Sequence, residues 1–76
     1  MVFPLKAIGR NADDFEGFVV AVVQANAPLS ARTVTTRLSQ AGKYLAVTVT
    51  FVAESREQLD AIYQELYDSG RLLMAL

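Results

Sequence analysis

Seventy-six residues make a single domain, small enough that its core buries only about 60% of the surface the unfolded chain exposes. Hydrophobic residues are 53% of the chain and seven basic residues nearly balance eight acidic ones, which excludes the low-hydrophobicity signature of disorder. Cysteine and histidine are both missing, so disulfides, thiolate nucleophiles, imidazole bases and cysteine or histidine zinc sites are excluded as well.

The opening MVFPLKAIGR has no charged start followed by an apolar stretch and a cleavage site, and later apolar runs are short. Neither a signal peptide nor a membrane span is expected, and the location expected is cytoplasmic. Phe3 to Arg10 reads as a first strand, with Pro4 suited to its start rather than its middle. From Ala12 to Ala25, Phe15, Phe18, Val19, Val22 and Val23 fall at i, i+3, i+4, i+7 and i+8, the stripe of a helix packed on one face. Asn11 is expected to cap that helix, with Asp13 and Asp14 in its first turn complementing the free amides and the macrodipole. Asn26, which tolerates a left-handed cap, and Pro28 are expected to stop it. Gly17 inside the helix reads either as a close contact with a partner or, more plainly, as a tolerated weak helix former.

Ala31 to Ser39 and Lys43 to Ala53 alternate with period two around SQAGK, whose Gly42 permits a turn with positive φ, and so form a hairpin. In the second strand Leu45, Val47, Val49 and Phe51 point one way, and Tyr44, Ala46, Thr48 and Thr50 the other. Ser55 followed by Gln58 makes a capping box. The next helix carries Leu59, Ile62, Tyr63 and Leu66 as its apolar stripe and ends at Gly70. RLLMAL closes the chain as a last strand. The order β-α-β-β-α-β is that of a ferredoxin-like α+β sandwich: a four-stranded antiparallel sheet in the order 4-1-3-2, with both helices on one face. Its core is expected where Phe15, Val19, Val22, Leu59, Ile62 and Leu66 meet the inward row of the second hairpin strand.

The charges are segregated. All eight acidic residues lie in the helices or their caps, whereas Lys6, Arg10, Arg32, Arg37, Lys43 and Arg71 lie on strands or the hairpin turn. If Leu5, Val34, Val49 and Met74 face the helices, alternation places Lys6, Arg10, Arg37 and Arg71 on the open face with Thr33, Thr35, Thr48, Thr50 and Tyr44. Ile8, Val52 and Leu73 would be exposed there too, giving either a solvated sheet or an interaction surface that is cationic and rich in hydroxyls.

The stretches FPLKAIG, VVQANAP, SQAGKYLAVTVT, SREQLDAIYQEL and LLMAL span nearly every element. With them the chain resembles the YbeD-like family of small bacterial proteins. That resemblance implies a domain similar to the ACT regulatory domains that sense amino acids in metabolic enzymes, with no defined catalytic residue and no cofactor. Members of the family usually carry a few more residues before the FP motif, which points to an alternative start. ACT domains that bind amino acids present an aspartate, a proline and a glycine between the first strand and first helix. GRNADDFEG has no proline, its following glycine lies inside the helix, and its carboxylates would repel an anion, so helix initiation is the expected role of this junction. Gly9 and Arg10 remain candidates for backbone approach to a ligand.

The expected function is thus a non-catalytic regulatory or adaptor module that binds a partner protein or a small ligand, with no metal and no membrane. A homodimer through the lightly guarded strand ARTVTTRLS and a monomer are both open readings. The alternative is an RNA-binding module using the open face, although GKYLAVTVTF turns only one ring, Tyr44, outward where RNA-recognition domains stack several. An acylphosphatase-like enzyme would need a glycine-rich loop at Arg10 and an asparagine on the hairpin strand, and the sequence supplies neither.

Overall fold

The computed structural model describes residues 1–39 and 41–75; Gln40 and Leu76, which the sequence reading assigns to the hairpin turn and the last strand, lie outside the described residues. Its elements are β1 (Val2–Arg10), α1 (Phe15–Asn26), β2 (Arg32–Leu38), β3 (Tyr44–Val52), α2 (Arg56–Asp68) and β4 (Leu72–Ala75). The antiparallel sheet runs β2-β3-β1-β4, the order expected from the sequence. β1 and β3 are paired without a break from Val2 opposite Val52 to Arg10 opposite Tyr44, and β2 adds to β3 with Val34 opposite Val49. Pro4 sits well inside β1, yet the described residues of β4 pair only with Ala7 to Gly9, so at Pro4 one side of the strand has no described partner and the missing N–H leaves no gap in the β1–β3 ladder.

Period-two alternation buries Leu5, Ala7, Leu45, Val47, Val49 and Phe51 on one face. Phe15, Val19, Val22 and Val23 of α1 and Ile62 and Leu66 of α2 close over them, with Leu59 packed at the margin. Ser55 caps α2 as read, its Oγ accepting from the Gln58 amide at 3.2 Å; the return bond of the box is displaced by one residue, Gln58 Oε1 accepting from the Glu54 amide at 2.8 Å. Gly42 and Gly70 take φ of 70° and 73°, the left-handed conformation that the hairpin turn and the end of α2 require.

Three local expectations are corrected. α1 begins at Phe15 rather than Ala12, and Asn11 does not cap it. The β1–β3 ladder runs to Arg10, so Asn11 still follows the strand: its amide donates to the Lys43 carbonyl at 2.9 Å and its Nδ2 to the Gly42 carbonyl at 3.0 Å. At the other end Asn26 is not a left-handed cap. It is the last helical residue, donates to the Val22 carbonyl and to Glu65 Oε1, and accepts from Gln58 Nε2, tying α1 to α2. Third, Met74 does not face the helices. β4 carries a bulge opposite Ile8 and Gly9, so Leu72 pairs with Gly9 while Met74 pairs with Ile8, and the extra residue moves Met74 to the open face, half exposed.

The glycines give opposite predictions. A Cβ on Gly9 would stand 2.6 Å from the Phe15 ring and 2.8 Å from the Arg71 carbonyl, whereas one on Gly17 meets nothing within 4 Å. Gly9→Ala should therefore destabilise the fold by about 1–3 kcal/mol, as overpacking does. Gly17→Ala should stabilise it by up to about 1 kcal/mol, and Leu66→Ala should cost roughly 2–5 kcal/mol. Urea unfolding of the three variants checks the signs. A destabilised Gly17→Ala would show that the space around Gly17 is occupied in solution.

Candidate functional site

The cross-strand register assembles the open face row by row, because residues registered opposite one another share a face. Thr33, Thr50 and Pro4 form one row; Thr35, Thr48 and Lys6 the next; Arg37, Ala46, Ile8 and Met74 a third; Tyr44 and Arg10 a fourth. Lys6, Arg10, Thr33, Thr35, Arg37 and Tyr44 are exposed, and Thr48 and Thr50 half-buried. None of the described strand residues is acidic. Lys6 and Arg10 flank Ile8 on β1, so a short apolar strip of Ala46, Ile8 and Met74 runs between two cations and ends at a third, Arg37. A shallow hollow of about 310 Å³ lies beside it, lined by Ile8, Arg37, Leu38, Ser39, Tyr44 and Ala46. The face can offer guanidinium and ammonium donors, threonine hydroxyls and one exposed ring.

Arg71 is not part of this face. It precedes β4 and turns to the start of α1, where its guanidinium carbon stands 4.9 Å from the centre of the Phe18 ring and 5.9 Å from that of Phe15. Two nitrogens grip the Asp14 carboxylate, at 2.5 and 3.2 Å. Strand alternation could not find this, because Arg71 lies outside β4 and the deciding partners are more than fifty residues away in sequence. Exposed charge pairs are weak by themselves, but a bidentate guanidinium held against two rings is restrained from several sides. Asp14 occupies the N-cap position of α1 without a side-chain cap bond, since its oxygens are committed to Arg71. Its carboxyl is held below the usual aspartate range, chiefly by the hydrogen bonds from Arg71, with burial opposing and the guanidinium charge assisting.

The β1–α1 junction carries a second hollow, of about 360 Å³, lined by Arg10, Ala12, Phe15, Gly70, Arg71 and Leu73. Gly9 gives no backbone approach to a ligand there: the space a side chain would take is filled by the Phe15 ring and the Arg71 carbonyl. Among the described residues, no three histidine, cysteine, aspartate or glutamate side chains group as metal ligands, and no helix is long and apolar enough to cross a membrane.

Comparison with known proteins agrees with this architecture. A family model described as "Protein of unknown function (DUF493)" matches residues 1–76. A UPF0250 protein of Ectopseudomonas mendocina is 41% identical over 75 residues, covering 97% of this chain and 82% of the relative. The UPF0250 protein NE1487 of Nitrosomonas europaea is 39% identical over 75 residues, covering 97% and 86%. Among solved structures, protein HP0495 of H. pylori superposes with a TM-score of 0.78 at 10% identity, over all of this chain and 80% of that one. The ACT domain from the GTP pyrophosphokinase of Chlorobium tepidum superposes with a TM-score of 0.61 at 6% identity, over all of this chain and 95% of that one. The ACT-like fold expected from the sequence is therefore the fold observed.

The Asp14–Arg71 clasp predicts a pH effect. A carboxyl whose folded pKa is depressed contributes stability above its unfolded pKa, and that stability is lost as pH falls through the folded value. Arg71→Met should move the Asp14 titration, followed by carboxyl ¹³C shifts, upward to the ordinary aspartate range and remove this acid-side dependence. An unmoved titration would show that the clasp does not hold in solution.

Proposed function

The chain belongs to the DUF493 family, and from that premise we propose that it is a small, non-catalytic regulatory or adaptor module of the cytoplasm that recognises an acidic partner protein through the open face of its sheet. The observation that carries this reading is the separation of charge by the fold. Lys6, Arg10 and Arg37 share a face on which no described residue has an acidic side chain, while the acidic residues lie on or beside the helices. Overall charge is near neutral, so the asymmetry acts as a dipole. Lys6 and Arg10 stand about 13 Å apart along β1, four residues of extended chain. Together with Arg37 they present a field that reaches outward over about a Debye length, roughly 8–10 Å at ordinary salt. The threonine hydroxyls of Thr33, Thr35, Thr48 and Thr50 supply neutral hydrogen bonds, and the Ala46–Ile8–Met74 strip an apolar centre. ACT domains are regulatory modules, and likeness to one supports a part that regulates and does no chemistry.

A second reading rests on Tyr44, which is registered opposite Arg10 and is nearly half exposed, so that a ring and a cation adjoin as they do where single-stranded RNA is bound. A single ring gives a short platform.

Reversing Lys6 and Arg37 to glutamate should abolish capture of the natural partner in a pull-down and slow its association. The thermal midpoint should stay near wild type, since exposed charges usually shift stability by less than about 0.5 kcal/mol. Tyr44→Ala should leave that capture intact. If it instead weakened binding to single-stranded RNA by the roughly 1–3 kcal/mol of one lost stack, the second reading would replace the first.

A further inference from the structure

The two edges of the sheet are built differently. β4 has four residues, Leu72–Ala75, and its pairing is interrupted by a bulge. Shortness and bulging are ways in which natural sheets blunt an edge against further pairing. β2 has neither protection: its seven residues, Arg32–Leu38, contain no proline and pair with β3 in unbroken register. The helix layer also stops short of it. Thr36 and Leu38 belong to the face that the helices cover elsewhere, since they are registered opposite buried Val47 and Leu45, yet both are exposed, Leu38 by 55%. β2 is therefore open along its outer backbone, on its outer face and over much of its inner face.

Charge decides what such an edge accepts. From Ser30 to Ala53 the hairpin contains no aspartate or glutamate, and carries Arg32, Arg37 and Lys43. A second copy added antiparallel to β2 would bring another acid-free hairpin with the same three cations, and like charges across adjacent strands are unfavourable. An acidic strand meets the opposite situation. Side-chain parity adds a further condition. Thr33, Thr35 and Arg37 lie on the open face, whereas Val34 and Leu38 lie on the other. We propose that the β2 edge takes up an extended segment of a partner protein as a fifth strand, one in which carboxylates alternate with apolar residues. The carboxylates lie beside Arg37 and the threonines, and the apolar side chains lie beside Val34 and Leu38. Main-chain hydrogen bonds supply the affinity and the alternation supplies the register, as in β-strand addition generally. This goes beyond open-face recognition, because the groups that bind are the backbone amides and carbonyls of β2.

The probe is a nine-residue capped peptide of alternating glutamate and valine, titrated into the ¹⁵N-labelled protein. Shifts should concentrate in residues 31–39, and alternate β2 amides should exchange more slowly. The same peptide N-methylated on the alternate residues whose amides face β2 should bind more than tenfold more weakly, because several backbone bonds are lost together and each contributes about a factor of two to ten. Arg37→Glu should also weaken binding, and a lysine–valine peptide should not bind. Equal binding of the N-methylated peptide, with shifts confined to Lys6, Arg10 and their neighbours, would overturn the edge site and leave the open-face reading standing. Slow β2 exchange without peptide, in a protein sedimenting at twice the chain mass, would make a second copy the occupant and overturn the proposal. So would the absence of any shift in β2. Protection of β2 that Lys6→Glu leaves unchanged would support the edge site even if the open-face reading failed.

Discussion

Gly9 has no side chain, and the consequences spread from that one position through half of the molecule. It lies on the helix side of β1, where the Phe15 ring and the Arg71 carbonyl take the volume a Cβ would need. Seating Phe15 there fixes where α1 begins, since the chain must finish the β1–β3 ladder, turn over through Asp13 and Asp14, and drop its first helical ring onto the strand. The Arg71 carbonyl arrives from the opposite side just before β4, where the pairing beside Gly9 is bulged. The same approach leaves the Arg71 guanidinium over Phe18 and Phe15 and beside Asp14. Close packing makes such a contact all-or-none, because interiors have few gaps into which a displaced ring could move.

A chain of this size has only one face of its sheet to bury. Two helices cover β1, β3 and part of β4, and the remaining surface is left to the open face and to β2. Threonine suits that remainder because it favours extended backbone and presents a hydroxyl to water. The cations on the same strands keep the open face hydrated. On the helices the acidic residues are favourable mainly near N-termini, as with Glu16 in the first turn of α1 and Glu57 in the first turn of α2. The dipole thus has local reasons on both sides, and a recognition surface follows from rules that also serve solubility.

The two candidate surfaces are contiguous, since β2 contributes Thr33, Thr35 and Arg37 to the open face and its backbone to the edge. Among the described residues, neither surface carries an acidic side chain. Arg37 belongs to both, as the end of the Ala46–Ile8–Met74 strip and as the charged position of the edge, whereas Lys6 belongs to the face alone. The junction between β1 and α1 is occupied by intramolecular contacts: Asn11 holds the hairpin turn, Asp14 holds Arg71, and Phe15 fills the space over Gly9.

The sequence by itself determined the elements, their order, the sheet topology and the two-faced alternation of β3, because each is written in a local period of apolar residues or in a turn or cap within a few positions. Gly42, Gly70, and Ser55 with Gln58 were legible for the same reason, and so was the charge segregation, which needs only the assignment of residues to helix or strand. Only the tertiary structure decided that Asn11 belongs to the hairpin and not to the helix, that Met74 lies on the open face, that Arg71 leaves that face for Asp14 and Phe18, and that β2 extends beyond the helices. Each depends on partners far apart in the chain, and a bulge of one residue reverses the parity on which reading from a strand pattern relies.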